Sequence, residues 1–148
     1  MPWSVSQRKR LDVVEKGILE SYFGDKITWN DPQGKTTVEL KISTNSDNHY
    51  TLRIYLPSDY PNSCPELTVA SPKELKRKDG TPMNGFASDA DHTYGTKDGL
   101  IKICHFHQGK WTNEYTLYQV FMKGLLWLEA YESHRQTGKP ISTYLREI

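Results

Sequence analysis

Cysteine is scarce in this 148-residue chain. Cys64 and Cys104 are the only two, forty residues apart, with no CxxC pair and no His/Cys ligand array. That excludes a disulfide-stapled secreted scaffold and a structural zinc finger, and free thiols point to a reducing, cytoplasmic setting. No sign of charge dominates either. Nineteen Lys+Arg balance eighteen Asp+Glu, a formal net charge of +1, so the field that draws a protein to nucleic acid is missing and no nucleic-acid partner is expected. Long apolar runs are absent as well. The opening stretch MPWSVSQRKRLDVVEKGILE holds no leader-like apolar core, and nothing later approaches the roughly 20 apolar residues of a membrane span, so no membrane partner is expected. There is no G-x-S-x-G elbow, phosphate-loop glycine pattern, internal repeat or low-complexity tract. What remains, 36% hydrophobic and 25% charged, is the composition of one globular domain spanning 1–148.

Within that domain, Leu11, Val14, Ile18 and Tyr22 recur at helical spacing from Ser6 onward, with Arg8, Arg10, Glu15 and Glu20 on the opposite side and Gly24 as the stop. After a turn at Asn30 to Gly34, Val38, Leu40 and Ile42 alternate with Glu39 and Lys41. A turn at Asn45 to Asn48 leads into Tyr50, Leu52, Ile54 and Leu56 on one face of a second strand. A third strand, Leu67 to Ala70, follows a connection bracketed by Pro57 and Pro65, which completes an antiparallel meander. Periodicity then disappears between Ser71 and Gly99, which reads as a long loop, and such loops are usually functional. A short apolar run, Leu100 to Ile103, ends at Cys104. A long helix beginning near Thr112 or Asn113 carries Leu117, Val120, Phe121, Leu125, Leu128 and Tyr131 to Gly138, and a last short helix opens at Pro140 with Tyr144 and Leu145. The expected class is α+β, with helices packed on one sheet.

Cys104 stands where a buried run meets a polar loop, followed by His105, Phe106 and His107. A nucleophilic thiolate needs partial exposure and nearby cations or donors, and Lys102, His105, His107 and Lys110 are nearest in sequence. On residue type alone a free cysteine is more often a small buried hydrophobe. Cys64, between Ser63 and Pro65, has no base beside it. His92, His105 and His107 raise metal binding, but three or four placed ligands would be needed, and a hydrogen-bonding histidine is the default; no metal and no cofactor is expected. The basic run Lys73, Lys76, Arg77, Lys78 lacks the aromatics that stack bases and reads as solvated loop. Trp111, Trp127 and Tyr131 read as packing of the frame.

The segment Tyr50 to Leu67, an alternating strand running into Tyr60-Pro61-x-x-x-Pro65, resembles the sheet of ubiquitin-conjugating enzymes. So does the later order of Gly99, Ile103-Cys104, Trp111 and Thr116-Leu117 before an amphipathic helix. The resemblance implies the UBC-like fold: N-terminal helix, antiparallel meander, long active-site loop and C-terminal helices. One departure is plain. Where those enzymes carry His-Pro-Asn, this chain has His92-Thr93-Tyr94, twelve residues before Cys104. Together with Trp127-Leu128-Glu129-Ala130-Tyr131-Glu132, this is similar to divergent bacterial conjugating-enzyme-like proteins, and the ubiquitin-fold-modifier conjugating enzyme also lacks His-Pro-Asn. The resemblance implies transthiolation, in which Cys104 accepts a ubiquitin-like modifier from an activating enzyme and passes it to an amine, on a substrate protein or another acceptor, with or without a ligase. Oxyanion donors would come from backbone N–H groups near Cys104 or from Tyr94, His105, His107 or Asn113, with His92 as a structural histidine. Asp98, Glu114 or a histidine would deprotonate the amine, and Arg8, Lys9 and Arg10 would meet the activating enzyme. The alternative is a catalytically inactive UBC/RWD-like protein-interaction module, which the missing Pro and Asn favour and the retained cysteine opposes.

Overall fold

The computed structural model describes residues 3–31, 35–83, 87–88, 90–106 and 109–145. Ser4 starts the first helix as a capping box, its hydroxyl accepting from the Gln7 N–H while the Gln7 side chain accepts from the Ser4 N–H. The rod runs through α1 (Val5–Lys9), a π-helical stretch (Arg10–Glu15) and α2 (Lys16–Phe23), with Lys16 N–H bonded to the Leu11 carbonyl. That wide turn shifts the helical phase. Leu11, Glu15 and Leu19 form the buried stripe, whereas Val14 and Tyr22, expected on the inner face, are exposed, and Glu15, expected outside, is fully buried.

Among the described residues seven strands form one antiparallel sheet in the order β1-β2-β3-β4-β7-β6-β5. They are β1 (Ile27–Asn30), β2 (Thr37–Ser43), β3 (His49–Tyr55), β4 (Glu66–Ser71), β5 (Ala87–Ser88), β6 (Thr93–Lys97) and β7 (Leu100–Ile103). The expected meander is β2 to β4. Its apolar alternation sets the register: Val38, Ile54 and Leu67 lie in one row across three strands, and Leu40, Leu52 and Val69 in the next. β1, β5, β6 and β7 extend the sheet beyond the three strands the periodicity marks. The segment read as a continuous loop therefore contains β5 and β6. Its end is a two-residue hairpin, Asp98-Gly99, both with positive φ, joining paired Lys97 and Leu100, as such a tight antiparallel turn requires.

The long helix, α3 (Leu117–Thr137), begins at Leu117 rather than near residue 112. Thr116 caps it in a second capping box with Gln119, and Gly138 closes it at φ 81°. Val120, Phe121, Trp127 and Leu128 are fully buried against the sheet. Gly124 makes the close approach: a Cβ there would lie 2.8 Å from Leu52 Cδ1. A 3-10 turn, Ile141–Tyr144, buries Ile141 and leads to buried Leu145. No helix among the described residues is long and apolar enough to cross a membrane.

Candidate functional site

Glu15 organises the region around the Tyr60-Pro61 connection. Its carboxylate accepts from the Tyr60 hydroxyl, from Arg10 Nε at 2.9 Å and from the Leu117 N–H, at the start of α3, at 3.0 Å. Arg10 donates onward to the carbonyls of Asn113, at 2.6 Å, and Tyr115. One buried ion pair thus ties the first helix, the Pro-bracketed connection and the approach to α3 together. Arg10 is engaged inward and is not a free surface contact, while Arg8 and Lys9 remain exposed. Trp111 fastens the same corner by donating from Nε1 to the Pro61 carbonyl at 2.8 Å, and packs edge-on to Phe106, which in turn meets Tyr115.

Cys104 directly follows β7. Its N–H donates to the His92 carbonyl at 2.8 Å, so this backbone donor is already used. Tyr94 reaches across to donate its hydroxyl to the Phe106 carbonyl at 2.7 Å. Burial, and then the Cys104 thiol beside it, push the Tyr94 hydroxyl above the ordinary tyrosine range. The thiol is buried beside a partly exposed tyrosine: Tyr94 is 41% exposed and Cys104 only 8%. His92, Tyr94 and Cys104 are therefore brought together.

His105 departs from that group. Its Nε2 lies 2.8 Å from the Pro65 carbonyl and 3.5 Å from Cys64 Sγ, and its Nδ1 lies 3.2 Å from the Ile103 carbonyl. Burial pushes the imidazole down to about 4, so at neutral pH the ring is uncharged and can donate to only one of the two carbonyls. It is a wall residue joining the connection just before β4 to the end of β7. Burial also pushes the Cys64 thiol up to about 12, which keeps it protonated and unreactive. His107 lies outside the described residues. Asn113 is exposed and its amide points to Asn62 at 3.5 Å, while Asp98 and Glu114 are exposed on separate turns. None of these three is shown gathered at Cys104. Among the described residues no three His, Cys, Asp or Glu side chains are placed to hold a metal ion.

Beside the buried thiol a cavity of about 340 Å³ opens between Pro65 and Trp111, walled by Cys64, Tyr94, His105 and Phe106. Cys104 is not among the described residues that line it. Two functional groups escaped the sequence reading. Lys123 of α3 sits 4.1 Å from the centre of the Phe106 ring, and burial lowers its pKa; nothing in the helical pattern marks it. Glu15 had a signal, since leucines at 11 and 19 flank it four residues away on either side. Two side chains of the basic run are tied down within the fold. Arg77 bonds Asp91 at 2.5 Å and Lys78 the Gln136 carbonyl at 2.9 Å.

The profile of the RWD domain family matches residues 13–89, from the middle of the first helix through β5 and over half of the chain. The chain belongs to the RWD domain family. RWD domains have the fold of the UBC-like superfamily, so the expected α+β architecture and its kinship with conjugating enzymes hold at the level of fold. Members of the RWD family usually serve as protein-interaction modules and are generally not catalytic. The match ends before Cys104. Neither a curated protein nor a solved structure matches the chain.

Proposed function

We propose that the protein is an interaction module, a single UBC-like domain over 1–148 that binds a protein partner of a ubiquitin-like pathway without carrying a thioester. The observation that carries this reading is the burial of Cys104. Transthiolation needs a thiolate with an open line to a thioester carbonyl, whereas this thiol is buried, with Tyr94 beside it. The open cavity beside it, lined by Pro65, Phe106 and Trp111, is a surface that a partner's apolar side chain can enter. Its free thiols suit a reducing cytoplasm.

The conjugating reading, with Cys104 as nucleophile and an activating enzyme and modifier as partners, draws on the Tyr94 hydroxyl beside the sulfur in place of the absent asparagine, and requires that hydroxyl to release the Phe106 carbonyl before it can donate to an oxyanion. Two measurements separate the readings. Intact mass after treatment with N-ethylmaleimide is expected to show Cys104 unmodified in the folded protein and modified in denaturant. Incubation with an activating enzyme, ATP and a ubiquitin-like protein is expected to yield no reductant-sensitive adduct. An adduct that forms and is lost in Cys104→Ala would establish the enzyme instead.

A further inference from the structure

The outer face of the N-terminal helix carries apolar residues and charges that nothing in the fold uses. We propose that this ridge is a self-association surface on which two copies of the chain pack with their helices antiparallel, Lys9 of each copy against Glu20 of the other.

With Leu11, Glu15 and Leu19 facing inward, Lys9, Val13, Gly17 and Glu20, spaced four, four and three, lie on the opposite side of the rod as a ridge flanked by the exposed Asp12 and Val14. All four are exposed, and Val13 is 72% exposed. A Cβ at Gly17 would meet nothing within 4 Å, so the ridge has a gap at this point into which a neighbouring side chain can settle. Lys9 and Glu20 take part in none of the ion pairs among the described residues. By contrast Lys16 and Asp12, on the flank, pair with each other at 3.2 Å.

The order along the ridge identifies the occupant. It runs cation, apolar, gap, anion, and reversing a second copy of the same ridge sets cation against anion at both ends and Val13 against the Gly17 gap twice in the middle. Eleven residues separate Lys9 from Glu20, about 16 Å at 1.5 Å per residue, and the two-fold axis falls midway, beside Val14 and Glu15. A two-fold contact needs this kind of self-complementarity, in which residue i meets j and j meets i. A parallel pairing would put like charges together and is disfavoured. The surface is one helix wide, below the roughly 1,200 Å² of stable interfaces, so the dimer is weak and reversible, with a Kd of about 10–100 μM. It does not depend on whether Cys104 is ever charged.

Sedimentation velocity of the intact chain up to about 1 mM tests this. A concentration-dependent monomer–dimer equilibrium is expected. Glu20→Lys is expected to weaken it tenfold or more, and Lys9→Glu combined with Glu20→Lys to restore it to within about threefold. Circular dichroism melts should be unchanged in each variant, since neither side chain supports the fold. Carbodiimide coupling should join Lys9 of one copy to Glu20 of the other in the dimer band. A monomer throughout the range, a dimer indifferent to Glu20→Lys, or a double variant that stays dissociated would overturn the proposal. Capture of a different protein by this ridge, with the chain itself monomeric, would overturn it too.

Discussion

Glu15 is the side chain whose removal should cost the fold most. It is fully buried and accepts from Tyr60, Arg10 and the Leu117 N–H. Alanine there would leave the Tyr60 hydroxyl buried without its acceptor, the first N–H of α3 unmatched and a guanidinium without its counter-ion. Breaking a buried ion pair from one side typically costs about 3–5 kcal/mol, a large part of the roughly 5–15 kcal/mol that holds a domain folded. Gln is milder. It keeps a carbonyl oxygen for the Leu117 N–H and forfeits the charge, so about 1.5–3 kcal/mol is expected, and Tyr60→Phe alone should cost about the same, because a hydrogen bond to a charged group falls in that range. Both variants remove the same bond. The double variant Glu15→Gln/Tyr60→Phe should therefore fall short of the summed costs by about 1 kcal/mol or more. Urea titrations followed by tryptophan fluorescence give each value from the shift in midpoint at constant m. Additivity within about 0.5 kcal/mol, or an alanine variant destabilised by less than about 1 kcal/mol, would refute the view that this carboxylate is a shared hub.

His105 makes stability fall in acid. Its folded pKa lies near 4, against an ordinary value of 6.5, so the unfolded chain binds the extra proton first. The stabilisation is complete above pH 6.5 and declines as pH falls toward 4, by up to about 3 kcal/mol at 1.36 kcal/mol per pKa unit. Urea midpoints of wild type and His105→Gln at pH 7, 5.5 and 4.5 should converge as the pH drops, and parallel curves would count against it. The two helical glycines that the structure treats oppositely should respond oppositely to alanine. Gly17→Ala, in open space, should stabilise by about 0.5–1 kcal/mol. Gly124→Ala, which drives a methyl to 2.8 Å from buried Leu52, should destabilise by about 1 kcal/mol once the helix-propensity gain is offset by overpacking. Thermal melts of the two variants at low concentration decide it, and the same sign at both positions would be the wrong answer.

What the sequence made legible follows from where apolar periodicity is strong. β2 and β3 alternate cleanly and pair in register over seven residues each, and α3 shows its buried side in Val120, Phe121 and Leu128. The strands that went unread are those whose partners, not their own side chains, define them. β6 is Thr-Tyr-Gly-Thr-Lys, with no aliphatic residue, and only the Asp98-Gly99 turn betrays that it folds back onto β7. The first helix misled for a different reason. A 3.6-residue period placed Val14, Ile18 and Tyr22 inward, but the π-helical turn needs five residues between bonded groups, and that local change of pitch leaves no trace in composition. At the candidate site, Cys104, His92 and Tyr94 were found together from their order along the chain. The surroundings of the thiol were not legible, because they depend on Tyr94 of β6 bonding to the Phe106 carbonyl in the irregular segment after β7.

The phase of the first helix connects the buried hub to the exposed ridge. Turning Glu15 inward satisfies Tyr60 and the start of α3, and the same rotation carries Val13 and Gly17 to the opposite side and leaves Tyr22 64% exposed, its ring tilted against Tyr118 with centroids 4.3 Å apart. A chain that merely needed a stable helix here would gain more by placing an aliphatic residue at position 15 and letting Val14 or Ile18 share the core, since a buried ion pair is rarely worth more than the apolar packing it displaces. The hub instead fixes one orientation of the rod relative to the Tyr60-Pro61 connection. It holds the outer side of the rod in a defined direction relative to that connection. For an interaction module that orientation is the useful product: a surface presented at a set angle is preorganised, and preorganisation reduces the entropy cost of weak contacts.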